Sequence, residues 1–127
     1  MLRACVNSCV PDWTNNEDEV LRQEWGGLCY TAAMRWVTVA KDFDWAVVHG
    51  TVWSEKVGGR IDHAWCERGE IVVDLAMPVG ARVIERERYY RVAKPEVSRR
   101  YSSDDALLLS VKNGHHGPWD ASEQLEE

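Results

Sequence analysis

The stretch from Ile61 to Leu75 constrains this chain more than any other. Ile61-Asp62-His63-Ala64-Trp65-Cys66 and Ile71-Val72-Val73-Asp74-Leu75 are rich in β-branched, aromatic and other apolar residues, the kind that packs on a pleated surface. Only Glu67-Arg68-Gly69-Glu70 separates them. That is too short for a crossover, so the two strands must run antiparallel. With Arg68-Gly69 as the turn, Glu67 faces Glu70, Cys66 faces Ile71 and His63 faces Asp74. Side chains directly opposed on one face have Cβ atoms about 5 Å apart. This register therefore makes neighbours of an imidazole and a carboxylate. A three- or five-residue loop would turn one of them to the other face.

The rest of the chain places helices before strands. Asn15 or Asn16 can cap a helix through Glu17-Asp18-Glu19-Val20-Leu21-Arg22-Gln23, whose acidic first turn suits the helix dipole. Gly26-Gly27 breaks it. A second helix runs from about Leu28 to Ala40, with Leu28, Ala32, Trp36 and Ala40 spaced as one buried face. Trp45 to Trp53 reads as a strand, with Gly50 marking a bulge or a close backbone approach. Residues 54–60 form a turn. Arg82 to Val92, charged on both faces, suits an edge strand. Ser102 or Ser103 caps a helix through Asp104 to Val111, ended by Asn113-Gly114. The expected fold is α+β: N-terminal helices on a small, mostly antiparallel sheet, in one domain over residues 1–127. The acidic tail, about 120–127, reads as mobile.

Charge and cysteine usage narrow the chemistry. A formal charge of −6 argues against general affinity for nucleic acid or an anionic membrane. No apolar run is long enough to span a bilayer, and the first residues lack the apolar core of a signal peptide. A cytoplasmic location is expected. Cys5, Cys9, Cys29 and Cys66 then read as free thiols rather than disulfides, with Cys66 a small buried hydrophobe. No second ligand pair with zinc-like spacing follows Cys5 and Cys9, and His115-His116 reads as part of an exposed turn, so no metal or other cofactor is expected. Residues 82–100 hold a local excess of arginine interleaved with Tyr89 and Tyr90. Such a segment can bind RNA or single strands, but a charged sheet edge is the preferred reading.

Cys29 falls in the first turn of the second helix, behind Gly26-Gly27. Free N–H groups and the dipole there favour the thiolate, the form in which a thiol attacks. The glycines would let a substrate backbone approach the sulfur. Asp74 could accept from one nitrogen of His63 and leave the other facing the sulfur. Nucleophile, base and orienting group are the three parts of a covalent acyl-transfer site. Gln23, six positions before Cys29, could aim its amide at an oxyanion beside the Cys29 N–H; a surface glutamine is the alternative. Each of the three residues also has a structural reading, as core filler, satisfied strand histidine or strand-end cap. Trp25, Gly27, Tyr30 and Trp65, with Trp53, are candidates for a substrate-binding wall. Seven tryptophans against one phenylalanine supply both core and groove.

Gly26-Gly27-Leu28-Cys29-Tyr30, His63-Ala64-Trp65 and Ile71-Val72-Val73-Asp74-Leu75 together resemble the transglutaminase-like branch of the papain-like cysteine enzymes. Val48-His49-Gly50-Thr51-Val52 is similar to the strand that precedes the histidine in that family. The resemblance covers about residues 23–76. It implies Cys29 as nucleophile, His63 as general base and acid, Asp74 as orienter and Gln23 as the papain-type oxyanion residue. It also implies a peptide or protein amide substrate and no metal. Peptidase, amidase and transglutaminase-like chemistry all remain open. A catalytically silent binding or inhibitor module on the same fold is the competing function.

Overall fold

The computed structural model describes residues 17–40 and 43–125. Cys5, Cys9 and the candidate caps Asn15 and Asn16 lie outside the described residues. The elements are α1 (Glu17–Arg22), α2 (Cys29–Val39), β1 (Ala46–Ser54), β2 (Gly59–Arg68), β3 (Ile71–Val73), β4 (Val83–Glu85), α3 (Arg86–Ala93), β5 (Glu96–Ser102) and α4 (Ser103–Asn113). The strands form one antiparallel sheet in the order β4-β3-β2-β1-β5. The α+β class expected from the sequence is what is found.

Strand alternation splits the core into two layers. Val47, Ala64, Cys66, Val73 and Tyr101 face α2 and α4, while Val48, Val52, Trp65 and Val72 pack with Tyr89 of α3. β1 is an inner strand, buried on both sides for most of its length, which suits its run of apolar residues. α2 buries Ala32, Ala33, Met34, Trp36 and Val37. Leu28, expected on that face, is instead 51% exposed and precedes the helix. Gly50 occupies both roles suggested for it. The β1–β5 register shifts between His49 and Gly50, and a Cβ at Gly50 would stand 2.1 Å from the Glu96 carbonyl oxygen.

Residues 82–92 depart from the expected edge strand. Only Val83–Glu85 is strand, at the sheet edge; the chain then turns into α3. Tyr89, Tyr90 and Ala93 pack on the second layer, and their spacing of one, three and four residues is helical. β5, unmarked by hydrophobicity, is exposed at every residue except Tyr101. Its sequence carries no apolar alternation to reveal it. Ser102 caps α4 by accepting from the Asp105 N–H, and Gly114 ends it at φ 74°.

The end of the chain, expected to be mobile, is tied down as far as it is described. Ala121–Glu123 forms a 3-10 turn held by a capping box from Asp120. Lys112 donates to the carbonyls of Glu123 and Gln124, and Leu125 packs against the core.

Candidate active site

The hairpin that carries His63 and Asp74 is real, with a register two residues away from the expected one. The pairs are Cys66 with Val73, Glu67 with Val72 and Arg68 with Ile71, so the turn is Gly69-Glu70. Gly69 adopts φ 58°, the positive value a two-residue hairpin turn needs at its first central position. A slip of two preserves the face of every side chain. β3 stops at Val73, and Asp74 sits just beyond it, diagonal to His63 rather than opposite. The contact survives the slip: His63 Nε2 lies 2.8 Å from Asp74 Oδ2.

Asp74 is 2% exposed and fully engaged. Oδ2 also accepts from the Tyr89 hydroxyl at 2.6 Å, Oδ1 accepts from the Ala76 N–H, and its backbone N–H donates to the Arg82 carbonyl. Tyr89, wholly buried, was not singled out from the sequence as a site residue. The helical spacing of residues 86–93 was the signal that could have placed it. Arg82 was likewise missed. Its buried guanidinium donates to the carbonyls of Leu21, Gln23 and Met77. It thereby ties the loop after Asp74 to the segment leading toward Cys29.

Cys29 is the first residue of α2 and half-buried. Leu28, at the N-cap, provides no side-chain cap. The approach is a turn closed by the Leu28 N–H on the Trp25 carbonyl, with Gly27 at φ 74°. Cys29 lies near enough to the imidazole of His63 to act on its charge. Asp74 holds Nε2 and leaves Nδ1 outside that contact. Burial by itself pushes the His63 imidazolium down. Hydrogen bonds and charge from Asp74 and Cys29 outweigh burial and raise its pKa to about 10. The balance favours the cationic ring, held by the Asp74 carboxylate. Gly50 is its cross-strand neighbour on β1.

The remaining candidates divide. Tyr30, half-buried, lies beside the sulfur on the rim of a cavity of about 450 Å³. Burial, then the charges of Cys29, Asp62 and Tyr101, hold its hydroxyl proton up to about 12. Gly27 shapes the turn before the nucleophile, with open space around its Cα. Trp65 is not a substrate wall: it is 1% exposed and donates to Glu67, because alternation turns it into the α3 layer. Trp25 donates to the Val20 carbonyl. Trp25 and Gln23 border a different groove with Thr31, Met34, Arg35 and Thr38. At about 100° per residue, those four α2 positions lie roughly 140–240° around the helix from Cys29. Gln23 therefore faces away from the sulfur, and the structure does not bring it to the triad. Trp53 is on the surface, bonded to Glu55.

The basic segment is largely consumed by structure. Arg100 and Arg86 lie against buried Glu67, which also accepts from Trp65 and Tyr90. Burial opposes the charge on Glu67, yet these hydrogen bonds lower its pKa overall. His115 pairs with Glu123 and His116 with Ser110. Among the described residues no group of three His, Cys, Asp or Glu side chains is placed to hold a metal ion. No helix among them is long and apolar enough to cross a membrane. No protein-family model, curated protein or solved structure matches the chain.

Proposed function

We propose that the chain is a cysteine-dependent acyl-transfer enzyme acting on amide bonds, with a papain-like, transglutaminase-like core. The observation that carries this reading is the buried His63 ring, bonded to Asp74 and near enough to Cys29, at a helix start, for the sulfur to act on its charge. Structural histidines rarely hold a carboxylate beside a partly exposed thiol.

The Cys29 sulfur attacks the amide carbonyl carbon as its thiolate, and the thiol proton resides on His63. The uncapped N–H groups of the first α2 turn, that of Cys29 first, face the oxygen as negative charge develops on it. His63 passes its proton to the leaving nitrogen, the C–N bond breaks and a thioester remains. Water or an amine then attacks the thioester and gives its proton to His63, and the C–S bond breaks to restore the thiolate with the proton back on His63. Asp74 keeps the ring oriented throughout, itself pinned by Tyr89 and Ala76. Gln23 has no part in this mechanism.

The test is site-resolved alkylation of the native protein, read by mass spectrometry, on wild type and His63→Ala. Cys29 should label much faster than buried Cys66, and loss of His63 should slow Cys29 at least tenfold at neutral pH. Labelling of Cys29 that ignores His63 would remove the basis for an enzyme and favour a silent binding module.

A further inference from the structure

The cavity beside Tyr30 is built across the sheet end that α2 leaves open. Its floor follows from register. Asp62, Thr51 and Glu96 lie in one row across β2, β1 and β5, with His49 and Arg99 in the next row. Tyr30, Tyr101 and Trp119 form aromatic walls around His49, at centroid distances of 4.8, 5.1 and 5.3 Å. The space holds about 450 Å³, enough for a long side chain. Tyr30, the residue after Cys29 in α2, is part of its lining.

Two polar groups in this cavity have no other task. His49 is 5% exposed, and no described residue hydrogen-bonds its imidazole. Burial keeps that ring neutral, with its pKa lowered to about 4, so it can accept from a donor without repelling a cation. Asp62 is exposed, and among the described residues it has neither an ion pair nor a hydrogen bond, whereas Glu96 is already bridged by Arg60. A free carboxylate and a neutral imidazole beside the Tyr30 ring form an environment suited to a cation rich in N–H donors. Arg99 stands at the opposite corner, over the Tyr101 ring, and would repel a second cation or donate to a carbonyl.

From this geometry we infer that the cavity is a specificity subsite for a cationic side chain, ammonium or guanidinium, of the amide substrate. The inference rests on the enzymatic reading above and names its substrate class. The Asp62 carboxylate takes the charge, the Tyr30 ring flanks the stem, and His49 accepts an N–H at the floor.

The test does not require turnover. The full chain is titrated with the amides of N-acetyl-arginine, N-acetyl-norleucine and N-acetyl-glutamate, followed by the NMR signals of the His49 ring and Trp119 indole. The arginine amide should saturate at least fivefold more tightly than norleucine, and the glutamate derivative should not saturate. Asp62→Asn should abolish the arginine preference, and Glu87→Gln, an equal charge change on exposed α3 surface, should leave it. Equal binding of norleucine, or an unchanged preference in Asp62→Asn, overturns the inference. If Cys29 labels under His63 control without an arginine preference, the enzyme stands and the subsite falls. Arginine preference with an unactivated Cys29 would keep the cation site and remove the enzyme.

Discussion

Tyr89→Phe isolates the one contact to the candidate triad that comes from α3. The substitution deletes a single oxygen and leaves the ring, so the packing of Tyr89 against Trp65, at 5.8 Å between ring centroids, is retained. What is lost is the 2.6 Å hydrogen bond to Asp74 Oδ2, made to a buried carboxylate. Hydrogen bonds to charged groups are worth about 1.5–3 kcal/mol, and no water can replace the hydroxyl where Tyr89 is 0% exposed. We expect a loss of about 2 kcal/mol in urea denaturation, with Tm lowered by roughly 5–10 °C for a chain of this length. The same substitution in an Asp74→Asn background removes a bond to a neutral acceptor and should cost only about 1 kcal/mol. That difference is the coupling between the two residues. A loss below about 0.5 kcal/mol, or equal losses in both backgrounds, would refute the claim that Tyr89 holds the carboxylate. In the variant Cys29 should also label more slowly, since an Asp74 held by one fewer donor orients His63 less well.

Two further predictions concern stability. Gly50→Ala puts a Cβ 2.1 Å from the Glu96 carbonyl oxygen and 3.0 Å from the Val97 Cα, both backbone, so β5 must pull away. A loss of more than about 3 kcal/mol is expected, and a tolerated alanine would contradict the bulge. Stability should peak near pH 6.5. His63 has a raised folded pKa, so its contribution is complete below about 6.5 and is lost as pH rises toward about 10. His49 has a lowered one, so its contribution is present above about 6.5 and is lost as pH falls through about 4. Urea midpoints measured from pH 4 to 8 should show both limbs, and Asp74→Asn should flatten the upper one; a profile flat across that range contradicts both assignments.

The parts legible in the sequence were those set by local chemistry. The Gly26-Gly27 break, the start of α2 one residue from the expected point, the pairing of residues 61–75 and the Gly114 stop all follow from short-range signals. The exact hairpin register did not, because Arg68-Gly69 and Gly69-Glu70 both offer a two-residue turn, and the positive φ of Gly69 decides between them. β5 was hidden because only Tyr101 is buried along it, and α3 because its charges mask a short helical stripe. Gln23 borders a groove on the other side of α2 from Cys29, a placement that its nearness in sequence does not reveal. Tyr89 and Arg82 serve the site from 15 residues and about 60 residues away in the chain, where no spacing rule reaches.

The contact that matters most is also long-range, and small residues govern it. His63 and Asp74 meet through a hairpin, but Cys29 meets His63 only if the start of α2 sits at the right height over the sheet. That height is set where Ala32 and Ala33 pack in one layer with Ala64 and Cys66, and where the Cys66 thiol donates to the Ala33 carbonyl at 3.3 Å. Larger side chains there would lift the helix by an ångström or more, since cores give way to overpacking by shifting backbone. A shift of that size is enough to part the sulfur from the imidazole while leaving the sheet, the hairpin and the His63–Asp74 pair in place. The acyl-transfer reading thus makes Cys66, a residue with no chemistry of its own, a determinant of whether Cys29 has any.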